Sequence, residues 1–197
     1  MDKEIQDVYF QDLKLRYQFL KQKFQLKNQG VLPVHFFRLR PPNFPTIRLS
    51  QLAQLYHCAQ NLFSKLMACK TKNEIYTLFN ISTSRFWETH YTFEKTSKKR
   101  TKKISESFVD LLIINTIIPL KFCYSKSLGK SEPDHSLNII KTLNIEKNSI
   151  TNKFMNFRNF EENALTSQSL IQLKTENCDK NKCLQCAIGS ELISKNR

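Results

Sequence analysis

Apolar residues recur at steps of three, four or seven through residues 4–27. Val8, Leu15, Phe19 and Leu26 mark one face, and Tyr9, Leu13, Tyr17, Leu20 and Phe24 widen it. Lys14, Arg16, Lys21 and Lys23 occupy the remaining surface. This pattern predicts an amphipathic helix whose stripe needs a covering surface, from the rest of the chain or from a domain preceding it. The same period in Leu52, Leu55, Ala59, Leu62, Phe63 and Leu66 predicts a helix over 50–68. Further helices are predicted over 73–79, 105–124, 134–143, 148–157, 165–176 and 184–194.

The intervening segments differ in character. Residues 31–46 carry Pro41, Pro42 and Pro45, which forbid a continuous helix and predict an extended, ordered connection. Residues 82–93 gather Phe86, Trp87, His90, Tyr91 and Phe93. Trp87 and Tyr91 lie one helical turn apart, so a packed aromatic patch is favoured over a base-stacking platform. Residues 94–103 read as a basic loop and 125–133 as a linker, and no internal repeat is present. The expected fold class is all-α, with about eight helices, the Pro-rich connection and a cysteine-bearing loop between the last two helices. The chain divides by pattern into an amphipathic helix (1–30), a helical core (31–124) and C-terminal helices with the cysteines (125–197), read together as one continuous domain, 1–197. Only 3 of the 197 residues are Gly, which argues against an all-β fold with many tight turns.

Charge changes the picture. With 31 Lys and Arg against 17 Asp and Glu, the chain carries a formal +14. Such a balance attracts polyanions, chiefly nucleic acid, although a Lys-, Asn- and Ile-rich composition also arises from AT-rich coding sequence. Residues 1–30 lack the apolar core of a signal peptide. The most apolar run, Val109–Leu120, is interrupted by Asp110, Asn115 and Pro119, and falls short of the roughly 20 residues that a bilayer requires. It is therefore expected as a buried core helix of a cytoplasmic protein without a membrane partner. In that compartment the 6 cysteines are expected as thiols or metal ligands.

Three constellations carry candidate chemistry. Cys178, Cys183 and Cys186 stand at metal-ligand spacing, and their thiolates suit zinc or an iron–sulfur cluster. The fourth ligand stays open among Cys58, Cys69, Cys123 and a histidine; the plain alternative is three thiols without metal. Arg38, Arg40, Asn43 and Arg48 bracket the prolines and form a candidate anion site, or else they pair with carboxylates to fix the loop. Lys98, Lys99, Arg100, Lys102 and Lys103 suit a nucleic-acid backbone, or form a solvated loop. There is no phosphate-binding glycine loop, no Gly-x-Ser-x-Gly and no His-Glu-x-x-His, so no catalytic residue is assigned.

The segment Arg38-Leu39-Arg40-Pro41-Pro42-Asn43-Phe44-Pro45-Thr46-Ile47-Arg48-Leu49 resembles one found in domain-of-unknown-function family 2851 (DUF2851), a family of bacterial proteins. Trp87-Glu88-Thr89-His90-Tyr91, Ile114-Asn115-Thr116-Ile117-Ile118-Pro119, Ser167 through Lys174, and Cys178 through Gly189 resemble it too, in the same order. The chain departs from the family at Glu94, where glycine is usual after the phenylalanine. The resemblance implies that the chain corresponds to the second half of longer proteins. It implies that their first half holds acid- and histidine-rich segments that look like an active site of nuclease type. Its implied partner is that N-terminal half, whether separately encoded or lost. The resulting expectation is a non-catalytic helical module supporting nucleic-acid binding by an N-terminal domain. The alternatives are a zinc- or iron–sulfur-bearing part of an enzyme, or a truncated gene fragment without independent role.

Overall fold

The computed structural model describes residues 5–129 and 135–195. Among these the chain is all-α, as expected: helices, short 3-10 turns and three isolated bridges, with no strand. The elements are α1 (Val8–Lys23), α2 (Pro45–Cys58), α3 (Leu62–Ala68), α4 (Lys72–Leu78), α5 (Glu106–Leu112), α6 (Ile118–Ser127), α7 (Ser136–Lys141), α8 (Ser149–Phe157), α9 (Ala164–Leu173) and α10 (Ala187–Lys195). They fall into two compact units, Met1–Leu62 with Thr77–Ser105, and Phe63–Tyr76 with Glu106–Arg197.

In the first unit, Asp7 caps α1, its carboxylate accepting from the N–H groups of Tyr9 (2.9 Å) and Phe10 (3.2 Å). The helix is anchored by its first turn. Tyr9 stacks on Phe86 with ring centroids 4.3 Å apart, and Phe10 meets Phe93 edge-on at 4.9 Å. No residue of α1 is buried, and Phe19 is 63% exposed, so most of the predicted stripe lies bare within this unit. The core consists of Ile47, Leu55, Ala59, Phe79, Trp87 and Ile104.

The predicted helix 50–68 is two helices, α2 and α3, and α2 begins earlier than expected. Pro45 ends nothing; it occupies the first turn of α2, where its missing N–H costs no hydrogen bond. Its neighbours Pro41–Asn43 form a 3-10 turn, so the connection over 31–46 is only partly extended. The break after Cys58 runs through Asn61 at φ 56°, a left-handed conformation that asparagine tolerates better than most residues.

In the second unit, α5 and α6 are joined by a π turn, Ile113–Ile117, into one helix, Glu106–Ser127. Pro119 explains the register change: it has no N–H to return to Asn115, and its ring presses on that carbonyl. The side-chain amide of Asn115, an exposed residue, donates to Leu111 O (2.9 Å). At 22 residues this helix is long and apolar enough to cross a membrane by length and composition, which corrects the shorter estimate drawn from Val109–Leu120 alone. Only a stripe of it is buried: Val109, Ile113, Ile117, Lys121 and Ser125, each four residues from the last.

Lys121 is 2% exposed. Its ammonium donates to the carbonyl oxygens of Leu66 (3.3 Å), Met67 (2.6 Å) and Cys69 (2.9 Å), at the C-terminal end of α3. A cation there completes unsatisfied helix carbonyls and opposes the negative end of the helix dipole. Nearby, the Lys70 N–H (2.8 Å) and the Thr71 hydroxyl (3.0 Å) donate to Glu74 at the start of α4 and hold its carboxyl below the usual range.

The loop after α7 is tied down by small polar groups. Thr151 donates to Glu146 O (2.8 Å), Ser167 accepts from the Glu146 N–H (3.2 Å), and Asn148 caps α8 through Ile150 and Thr151. Ser167 is completely buried, so packing and hydrogen bonding account for a serine at this position.

Candidate functional site

The basic loop of the first unit is laced to the segment before it. Thr83 N–H donates to Lys102 O (3.2 Å), Ile104 N–H to Ile81 O (3.1 Å), Ser97 N–H to Thr89 O (2.6 Å) and Arg100 N–H to Glu88 O (2.9 Å). These bonds turn Lys102 inward, against the 3-10 turn Arg85–Glu88. Its ammonium donates to the carbonyl oxygens of Trp87 and of Glu88 (3.1 Å) and lies 4.1 Å from the centroid of the Tyr91 ring. Burial lowers its pKa from the ordinary lysine value. Lys102 is thus a structural cation, fixing Trp87, which is 3% exposed.

Arg48 approaches from α2. Its guanidinium donates to Asn43 Oδ1 (2.7 Å) and Gln51 Oε1 (2.9 Å), and Gln51 in turn donates to Lys102 O (3.2 Å). Burial lowers the Arg48 pKa as well, but a guanidinium remains charged at any physiological pH. Two basic segments that stand far apart in sequence are therefore joined through one amide. Together they line a cavity of about 210 Å³, whose walls include Asn43, Arg48, Tyr91, Arg100 and Lys103. Among the described residues, no Asp or Glu lines it.

The other predicted anion ligands lie elsewhere. Arg38 is exposed, in a left-handed conformation (φ 62°), with its guanidinium 5.1 Å from the Phe37 ring centroid. Arg40 is exposed, and its carbonyl accepts from the Asn43 N–H (2.8 Å). Lys98 is exposed, and Lys99 pairs with Glu88 at 3.6 Å. None of the four lines the cavity. Gln51 was not singled out by sequence, though a signal existed: it stands between Ile47 and Leu55 on the buried stripe of α2, a polar residue at a core position.

The aromatic patch is a packed cluster around Trp87. Phe86 is sandwiched between Tyr9 and His90, the latter at 4.1 Å and nearly parallel. His90 Nδ1 is held by Phe86 O and the Thr89 hydroxyl, both at 3.0 Å.

In the second unit, the three candidate metal ligands lie on the compact loop that leads into α10. Cys178 closes a π turn, Lys174–Cys178, and accepts through its carbonyl from the Asn181 N–H (3.2 Å). Cys183 opens a 3-10 turn, Cys183–Gln185, and its carbonyl accepts from the Cys186 N–H (3.3 Å). Cys178 and Cys183 are exposed and Cys186 is half-buried. Ion pairs of Lys174 with Asp179 and of Lys180 with Glu176 flank the loop. Among the described residues, no three His, Cys, Asp or Glu side chains form a group suited to a metal ion.

Gly189 seals this loop onto α10. A Cβ there would stand 2.5 Å from Cys183 O and 3.0 Å from its Cα, both backbone atoms with no freedom to rotate away. Gly189→Ala is expected to pry the loop from the helix. Alkylation of Cys183 and Cys186 under native conditions should then accelerate several-fold, while unfolding elsewhere changes little. Unchanged thiol reactivity would show that the close approach is not needed.

No curated protein and no solved structure matches the chain. Residues 1–149 match a family model described as Protein of unknown function (DUF2851). The likenesses noted at 167–174 and 178–189 lie beyond that range. Matched over residues 1–149 of 197, the chain belongs to the DUF2851 family.

Proposed function

We propose that the chain is a non-catalytic helical module that binds nucleic acid through its phosphates, using the cavity of the first unit. One observation carries this reading: Arg48 from α2 and Arg100 and Lys103 from the basic loop line a single concavity with no carboxylate among the described residues that line it. Convergent cations in a concave, partly desolvated setting attract phosphate more strongly than the same charges dispersed on a surface. The formal charge of +14 adds long-range attraction.

Binding of the purified chain to DNA and RNA should weaken steeply with salt, and each cation removed from the cavity should reduce the slope of log K against log salt by about 0.7 to 0.9. Lys98→Ala, outside the cavity, should change affinity less than Arg100→Ala. Absence of binding at low salt would end this reading.

The exposed stripe of α1 supports a partner domain, and the reading assigns that surface to the N-terminal part of the family's proteins. The buried stripe of Glu106–Ser127, with Lys121 bonded to chain carbonyls, supports a role of this helix within the unit. A second reading makes Cys178, Cys183 and Cys186 ligands of zinc or an iron–sulfur cluster. It is supported by their spacing and by the tight loop that holds Cys183 and Cys186 in one turn. Metal analysis of anaerobically purified protein beside Cys183→Ala and Cys186→Ala tests it; metal lost in both variants is the expected result.

A further inference from the structure

Two apolar lines run along α1. Val8, Leu15 and Phe19 lie on one side of the helix. Phe10, Leu13, Tyr17, Leu20 and Phe24 lie on the other, at alternating steps of three and four, the spacing of the a and d positions of a coiled-coil seam. The second line leads past a groove. Phe10 is seated on Phe93, and Leu13 lines a mostly apolar groove of about 630 Å³ between α1 and α2, together with Leu49, Ala53 and His57. Leu13 and Leu49 are both exposed, so the groove is open to solvent. Beyond it Tyr17, Leu20 and Phe24 are exposed as well, Phe24 by 59%. A seam of this length is short for a coiled coil, and the wall from α2 widens the apolar surface that a docked helix would cover.

The flanks of the seam state which helix fits. In heptad register, the e and g positions from Leu13 onward are Lys14, Arg16, Lys21 and Lys23, all basic. Arg16 pairs with the exposed Asp12 (2.8 Å) and also lines the groove; Asp7, at the preceding e position, is committed to the N-cap. Among the described residues that line the groove there is no Asp or Glu. A second copy of α1 would set these cations against one another in parallel or antiparallel pairing, whereas a helix with carboxylates at its own e and g positions would meet them.

We propose that the groove of α1 and α2 docks an amphipathic helix of the partner domain, with apolar residues at a and d and Asp or Glu at e and g. The inference rests on the assignment of α1 to a partner domain and states what that domain must present. It is independent of the nucleic-acid reading, since none of Arg48, Arg100 and Lys103 lines this groove.

The test titrates the full chain against a labelled synthetic helix of about three heptads with leucine at a and d. Its e and g positions are all Glu, all Gln or all Lys, and a fourth peptide scrambles the Glu version. The Glu version is expected to bind roughly tenfold tighter than the Gln version, through exposed charge pairs that each contribute modestly, and to lose that advantage at high salt. The Lys and scrambled versions should not bind. Leu20→Asp should abolish binding, and Leu15→Asp, on the other side of the helix, should leave it unchanged. Lys21→Glu with Lys23→Glu should turn the preference toward the Lys version. Circular dichroism of the variants separates lost binding from lost fold. Equal binding of the Glu and Gln versions overturns the acidic flanks and leaves a partner surface on α1 standing. Equal binding of the scrambled peptide, or a dimer of the chain at low salt that excludes the Glu version, overturns the docking of a helix. No binding of any version overturns both the inference and the partner assignment of α1, without touching the oligonucleotide result.

Discussion

Replacing Lys121 by Met is expected to destabilise the second unit by about 3 to 5 kcal/mol, because three carbonyl acceptors would lose a charged donor while staying where they are. Methionine keeps the apolar stem, so packing is nearly preserved and the loss isolates the ammonium. A buried ion pair can often be exchanged for apolar residues without penalty, since both charged partners leave together. Here the partners include the main-chain oxygens of Leu66, Met67 and Cys69, and no side-chain substitution removes them. For these acceptors the penalty is one-sided. Urea unfolding followed by far-UV circular dichroism measures it. A Lys121→Met protein as stable as its parent would mean that water replaces the ammonium without loss, and the end of α3 would then not depend on this lysine.

Lys102→Met should have the second large effect, about 2 kcal/mol on the first unit. Two carbonyls, of Trp87 and Glu88, lose their donor, and the ring of Tyr91 loses its cation. The loss is smaller than for Lys121 because Glu88 is only half-buried and its carbonyl can recruit water. The functional consequence separates the roles of the neighbouring cations. Loss of Lys102 should reduce phosphate binding through disorder of the cavity wall, with a matching fall in stability. Loss of Lys103 should reduce binding with stability unchanged. Tryptophan fluorescence of Trp87 during unfolding, read beside phosphate titration, distinguishes the two. Equal stability loss in both variants would contradict the assignment of Lys102 as the structural member.

The sequence pattern located nearly every helix but not how the helices begin, break and bind. Periodicity marked 50–68 as helical, yet nothing in it announced the break at Asn61, because a left-handed asparagine carries no signature as plain as glycine or proline. Pro45 was legible as a helix breaker when its actual place was the first turn of α2. The basic loop was legible as five cations in six residues, and arithmetic on charge treats them alike. Folding does not: Lys102 points inward, Lys99 meets Glu88, and Arg100 and Lys103 reach the cavity that Arg48 also lines. That convergence rests on backbone bonds between residues 81–83 and 102–104, and pairings of that separation leave no local trace. The packed role of Trp87 was legible because bulky aromatics gathered in one segment seek burial, although residues 85–88 form a 3-10 turn and no helix carries Trp87 and Tyr91. Lys121 was invisible for the opposite reason, since a lysine in an apolar run reads as an interruption of the core and here belongs to it.

The bare stripe of α1 sets the colloidal behaviour of the isolated chain. Phe19, Phe24 and Leu26 present apolar surface to water, while a formal +14 keeps neighbouring molecules apart. Added salt compresses the ionic atmosphere to roughly 8 Å at physiological strength and removes that repulsion, so the molecules can meet through their exposed helices. Salt thus weakens attraction to a polyanion and strengthens attraction to self at the same time. A titration that loses oligonucleotide binding as salt rises must be paired with light scattering, so that dissociation of the ligand is told apart from precipitation of its receptor.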